Sequence, residues 1–294
     1  MQSRKKTETT EINIDSLTIN RGEVSLCLLG SSPLCFNRVA EKAKRELLLP
    51  RARRMTIAEK AQNLKHDPLT EYRNSVYRRG DYETGPTRLQ FPASAFKGAA
   101  AQAALDIPGV AKTQMERLTW VQGDRVDIYG VPLLWMEVVR SADMSHTPDI
   151  RTRAVLRQWA TVITLSYVMP LLTGNTVAKM VSASGLIAGV GDYRQGKGRG
   201  NFGQFIVVDQ TDPQWLELIE TGGMAAQDAA LAEPQFFNTE SEELFRWHLG
   251  EVRRRSDEPV TAPPARRRRT RAEPLQLPPA PNGPDGDGLP ATAD

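Results

Sequence analysis

Long apolar runs are missing from this 294-residue chain: no stretch of about 18 apolar residues occurs, so no transmembrane helix and no membrane partner is expected. The leading MQSRKKTETTEINI carries charge but no apolar core, so a secretory signal is not expected either. Cysteine is scarce. Cys27 and Cys35 flank a Ser-Pro turn and have neither metal-ligand spacing nor a disulfide framework, which points to a reducing, cytoplasmic setting. The chain has no GxxxxGK[ST] loop, no CxxC pair and no GxSxG elbow, so pocket enzymology of those kinds has little support. Histidine is limited to His66, His146 and His248, and no motif pairs them. No metal or cofactor is therefore expected, and no catalytic residue is assigned.

Charge of one sign is also lacking in the totals, where the formal balance is only +3. The distribution is more informative. Arg and Lys crowd residues 38–79, 151–157, 194–199 and 253–271, a pattern suited to a polyanion. Residues 189–205, GVGDYRQGKGRGNFGQF, combine Gly189, Gly191, Gly196, Gly198, Gly200 and Gly203 with Arg194, Lys197 and Arg199. Glycine lets backbone amides approach a ligand closely, and such turns can form concave anion sites. The loop reads as a phosphate grip or, more plainly, as a surface hairpin.

Taken in order, residues 1–21 are a polar N-terminal extension. Residues 22–30 alternate as a strand, with Val24, Leu26 and Leu28 on one face and Ser25, Cys27 and Leu29 on the other. An insertion at 34–86 follows, with a capped helix expected at 56–64 and a helical patch at 68–79. Its Lys44, Arg45 and Arg73 offer phosphate attraction, and Tyr72 and Tyr77 offer flat faces for bases. After an extended piece at 87–91, an alanine-rich helix spans 95–105, with Lys97 and Gly98 in its first turn. A short helix is expected at 112–118, then strand-like runs at 120–130 and 131–142. Residues 141–152 form an arm. A single long strand is expected at 154–168, with Trp159, Thr161, Ile163, Leu165 and Tyr167 on one face. Asn175 or Thr176 caps the next helix, which delivers the chain into the glycine loop and a last strand at 202–208. The predicted class is α+β, a ferredoxin-like (RRM-like) β-α-β-β-α-β core over 22–209 with the basic insertion and the arm added, its sheet covered on one face by two helices. Residues 210–252 are expected to be helical and to pack on the sheet or on another subunit. Residues 253–294, rich in proline and arginine with RRRR at 266–269, read as a disordered tail.

Two segments in register resemble one family. LQFPASAFKGAAAQAAL (89–105) is similar to the start of the first helix in the RAMP superfamily, the group of CRISPR effector backbone and processing subunits. The loop at 189–205 is similar to the glycine-rich loop these proteins carry between their final helix and final strand. The resemblance covers about 22–208. It implies single-stranded RNA binding by several copies along a guide, with an arm reaching the neighbouring subunit. Ser94, Lys97 and Gly98 match the helix motif, Gly189, Gly191, Gly198, Gly200 and Gly203 match the loop, and Met144 and His146 lie near the arm tip. The loop spacing and the proline-rich tail depart from a strict guide-binding backbone subunit, so a phage or plasmid relative that coats single-stranded DNA stays open. The expected function is non-catalytic single-stranded nucleic-acid binding, RNA or DNA, by copies assembled along the strand. Lys97, Gly98, Arg194, Lys197 and Arg199 would meet the backbone, joined by Arg151, Arg153 and Arg157. Tyr72, Tyr77 or Tyr193 would stack on bases. Two alternatives remain: a RAMP-type endoribonuclease using His66 or His146 as general base, and a structural or virion subunit.

Overall fold

Alternation over residues 22–30 builds strand β1 (Asn20–Gly30) in the computed structural model, which describes residues 19–38, 48, 66–80, 82–140, 148–197 and 200–257. These residues lie within one compact unit, Met1–Glu258; a second unit, Pro259–Asp294, falls outside the described residues. After β1 come β2 (Leu34–Cys35), helix α1 (Pro68–Ser75), β3 (Tyr77–Arg78), β4 (Leu89–Pro92) and α2 (Ala93–Ala103). Then follow α3 (Lys112–Leu118), β5 (Thr119–Val121), β6 (Arg125–Tyr129), β7 (Pro132–Arg140), β8 (Pro148–Leu156) and β9 (Ala160–Met169). The chain closes with α4 (Gly174–Ile187), β10 (Phe205–Val208), α5 (Pro213–Thr221), α6 (Met224–Ala232) and α7 (Thr239–Asp257).

The molecule is mixed α+β, built on an antiparallel sheet of order β10-β1-β9-β6-β4-β3. The sheet curls at β9, whose first residues pair with β6 while Leu165, Ser166 and Tyr167 pair with β5. Helices α2 and α4 pack on each other and on one face of this sheet. Alanine favours α2 intrinsically, and its Phe96, Ala99, Ala100 and Ala103 recur at helical spacing to give a buried stripe. Phe96 meets Phe91 and Phe205 edge-on or tilted, with ring centroids 6.3 and 6.0 Å away. The opposite face is not bare. Trp215 of α5 covers Cys27, Leu29 and Ala160, so β1 is buried on both sides over its second half.

Three expectations are corrected. The single strand at 154–168 is two strands in two sheets. Arg157 and Gln158 are exposed between them, and the buried Trp159 turns the chain, its Nε1 donating to Ser32 O at 2.9 Å. Second, the run at 131–142 does not join the central sheet; β7 pairs with β8 over their full lengths in a separate sheet of order β2-β8-β7. The arm's residues 148–152 are thus strand, and its 141–147 lie outside the described residues. Third, α4 is capped by Thr173, whose hydroxyl accepts from Thr176 N at 3.2 Å; Asn175 and Thr176 are already helical and cannot take the extended cap conformation. The helix expected at 56–64 lies outside the described residues, and the patch at 68–79 ends at Ser75.

Gln227, fully buried on α6, ties the C-terminal helices to the sheet. Its Oε1 accepts from Arg88 N and Leu89 N, and its Nε2 donates to the carbonyls of Ile128, Gly130 and Gly222 at 2.7–3.1 Å. One side chain thereby answers backbone groups of β4, β6 and two turns that water cannot reach. Gln227→Leu keeps the volume and removes all five bonds. Unmet buried groups cost about 1–3 kcal/mol each, so the variant should lose on the order of 3 kcal/mol or more in urea unfolding. A loss below about 1 kcal/mol would mean that the helices are held by other contacts.

Candidate nucleic-acid interface

The glycine loop folds back on the chain around β2. Val190 N donates to Gly203 O, Phe202 N to Tyr193 O, Asp192 N to Cys35 O and Gly203 N to Pro33 O, all at 2.7–3.0 Å. Gly189, Gly191 and Gly203 take φ of +64°, +86° and +75°. At Gly203 the requirement is double, because a Cβ there would also run into Val190 O. At Gly200 the requirement is steric alone, since a Cβ there would run into Tyr193 O. These glycines therefore serve the loop's packing on its own chain, where a ligand cradle was expected. Gly198 and Arg199 lie outside the described residues, as does the side chain of Lys197. The turn Gln195–Lys197 is held to α2 by Gln102, whose Nε2 donates to Gly196 O at 2.8 Å.

Tyr193 anchors the loop to the second sheet. It sits at φ +58°, a left-handed conformation uncommon outside glycine. Its ring meets Trp135 edge-on at 5.0 Å between centroids and packs on Phe202, and its hydroxyl donates to Glu137 Oε2 at 2.8 Å. Burial first, then the bond to Glu137, pushes its phenol up to about 12. Next to it, Arg153 is buried with its Nη1 2.7 Å from Asp192 Oδ2, an ion pair without hydrogen-bond alignment, and its guanidinium lies 5.6 Å from the Tyr193 ring centroid. Arg153 and Tyr193, both expected at nucleic acid, are committed inside the protein.

Where α2, the loop and the start of the insertion meet, a cleft of about 400 Å³ opens. Tyr77 and Phe91 form part of its wall, Ser94 and Gly98 face it from α2, and Gly191 and Arg194 face it from the loop. Asn37, directly after β2 and its neighbour Phe36, donates to Asp192 Oδ2 at 3.0 Å on the cleft's rim. Asp192 is neutralised by Arg153, and Arg194 is the cation of this lining, with no ion pair among the described residues. One of its donors goes to Gly191 O at 2.7 Å, and a guanidinium carries five. Gly98 differs from the loop glycines: it is exposed, and a Cβ on it would meet nothing within 4 Å.

The remaining candidates divide. Tyr77 keeps an accessible face on the cleft; it packs edge-on against Phe91, with the Arg125 guanidinium 5.8 Å from its centroid. Tyr72 is fully buried and donates to Pro132 O and Ala230 O, so it cannot stack on a base. Arg73 donates to Leu231 O and Ala232 O, satisfying carbonyls at the end of α6. Arg157 donates to Phe237 O and lies over that residue's ring at 4.9 Å. Arg151 is exposed on β8, away from the cleft, and Lys97 is half-buried and outside the cleft's lining. Lys44, Arg45, Met144 and His146 lie outside the described residues. His66 has both ring nitrogens engaged, with Glu71 at 2.8 Å and Asp149 at 3.1 Å, which leaves neither to take a proton from a substrate. Among the described residues no group of three or more His, Cys, Asp or Glu is arranged to hold a metal ion, and no helix is long and apolar enough to cross a membrane.

The chain matches no protein-family model and no curated protein. Its site is therefore read from geometry alone. Asn37 and Asp192 were not foreseen: an aspartate inside a glycine loop hints at a turn, while its pairing with Arg153 and Asn37 has no local trace.

The Tyr193 phenol gives a test of this docking. A folded-state value raised from 10.0 to about 12 means the folded chain holds the proton more tightly than the unfolded chain. Its contribution is complete below the unfolded value and is lost as pH rises through the folded one. Urea unfolding between about pH 10 and 12 should show stability falling with pH, less steeply in Tyr193→Phe than in the parent. Equal slopes would show that Tyr193 is not held as described.

Proposed function

We propose that this chain is a non-catalytic single-stranded nucleic-acid-binding protein of the RAMP kind, with copies set side by side along an RNA or DNA strand. The observation that carries the reading is the convergence at one open cleft of two segments about a hundred residues apart. The helix start contributes Ser94 and the bare Gly98, and the loop contributes Gly191 and Arg194. Glycine inside a helix costs about 1 kcal/mol relative to alanine. Among the described residues nothing fills the space over Gly98, so a backbone approaching from outside accounts for its presence. Arg194 supplies charge for a phosphate, and Tyr77 supplies a flat face for a base, worth roughly 1–3 kcal/mol when stacked.

A ferredoxin-like core fits the same reading. The strand order β10-β1-β9 with β5 and β6 beyond it, α2 before β5 and α4 after β9 support this reading, with β4 and β3 as additions to the sheet edge. On this reading the β7–β8 hairpin of the second sheet falls in sequence between the second and third core strands, where an arm is expected, and β2 adds to it from the start of the insertion.

Fluorescence anisotropy with labelled single-stranded RNA and DNA 30-mers, over a series of salt concentrations, tests the cleft. Gly98→Leu fills the space without touching the protein, so binding should fall at least about tenfold while thermal stability is kept or raised. Arg194→Ala should weaken binding to all sequences and flatten the salt slope by about one unit. Unchanged binding in both variants would remove the cleft from consideration. Cleavage of the oligonucleotide by the parent chain would overturn the non-catalytic reading, and stoichiometry that does not grow with oligonucleotide length would overturn the side-by-side assembly.

A further inference from the structure

Strand β7 is an edge strand of its sheet, and its free edge is only partly used. In an antiparallel pair, alternate residues direct their backbone N–H and C=O away from the partner. On β7 these are the even-numbered residues, as their contacts demonstrate. Leu134 N donates to Gln235 O, and Leu134 O accepts from Phe237 N, a short parallel pairing with the segment that enters α7. Met136 N donates to the Ser241 hydroxyl at 3.0 Å, which donates back to Met136 O. The next outward residue is Val138, and among the described residues nothing bonds its backbone on that side. Here the edge borders a groove of about 660 Å³ between β7 and α7. Met136, Val138, Leu244 and Trp247 supply its apolar surface, and Glu240 and Glu243 its rim. Trp247 is 63% exposed and Val138 56%, which is unusual for side chains of that kind next to a buried core.

We propose that this groove takes an extended, basic peptide segment of a partner protein, which adds as a strand to β7 beyond Met136. The backbone selects an extended partner, because Val138 offers one donor and one acceptor in strand geometry. The side chains select its chemistry. On an added strand, residues i and i+2 point to the same face about 6.5–7 Å apart, so an apolar side chain can cover Trp247 and Leu244 while a Lys or Arg two residues away meets Glu240 or Glu243. Neither glutamate has an ion pair among the described residues. A second copy docking the same face is disfavoured, since it would set these glutamates against their own equivalents. The inference is independent of nucleic-acid binding, which uses the cleft at α2.

The test uses the full chain and three labelled acetylated heptapeptides read by fluorescence anisotropy: KVKLKVK, EVELEVE, and KPKPKPK, which keeps the charge but cannot pair as a strand. KVKLKVK should bind saturably and at least about tenfold more tightly than either control. Trp247→Ala should weaken it at least about tenfold, and Glu240→Lys with Glu243→Lys should reverse the preference between the lysine and glutamate peptides. These side chains are exposed, so circular dichroism and melting temperature should match the parent. Equal binding of KPKPKPK would overturn strand addition, and absence of binding at millimolar peptide would overturn the site. Concentration-dependent self-association that Trp247→Ala abolishes, without peptide binding, would assign the groove to a second copy and overturn the proposal.

Discussion

The site depends on how the glycine loop is fixed to the second sheet. Arg153 and Asp192 form a nearly buried pair there, and Tyr193 inserts beside them among Trp135, Phe202 and Phe237. A buried ion pair adds little net stability over an apolar substitute, yet loss of one partner leaves a charge without compensation. Its value lies in position. It sets the loop in one register against Cys35 and β2, and thereby sets Arg194 and Gly191 opposite Gly98. A loop with this many glycines would otherwise have wide conformational freedom. The crossings at Gly200 and Gly203 make it a packed object instead.

Much of the framework was legible because period-two and period-3.6 patterns report burial directly. The two faces of β1 and the helical spacing of Val177, Met180, Val181 and Ser184 on α4 were read from such patterns, while the last strand, expected at 202–208, begins at Phe205. The exchange between sheets at Trp159 was not, because the alternation from Trp159 to Tyr167 says nothing about which sheet a strand joins, and the adjacent polar Arg157 and Gln158 that break it were read through as one strand. Only the turn made by the buried indole separates the two pieces. The end of α4 nearest Thr173 was missed by a few residues because Gly174 masks the helix start.

The basic insertion was harder still. Tyr72 and Arg73 stand in a stretch of alternating cations and aromatics, which reads as a nucleic-acid surface. In the fold, α1 lies against β8 and α6, so Tyr72 becomes core and Arg73 closes the last carbonyls of another helix. Both roles depend on residues some 158 positions away. Counting cations overestimates the charge available to a ligand whenever the fold uses them as hydrogen-bond donors, and here Arg73, Arg153 and Arg157 are used in that way. Asp192 shows the converse: an acid at a cleft does not repel phosphate once its charge is cancelled from behind.

Glu137 belongs to two neighbourhoods. Its carboxylate holds the hydroxyl of Tyr193, and the same residue borders the groove beside α7. The carboxylate lies on the Trp135 face of β7, while Met136 and Val138 on either side of it face the groove, so one strand joins the loop that shapes the cleft to a surface facing elsewhere. A strand added beside Val138 would act on the backbone that carries this carboxylate without reaching the carboxylate itself. Linkage then acts in both directions and by equal factors: whatever one occupant does to the other's affinity, the second does to the first.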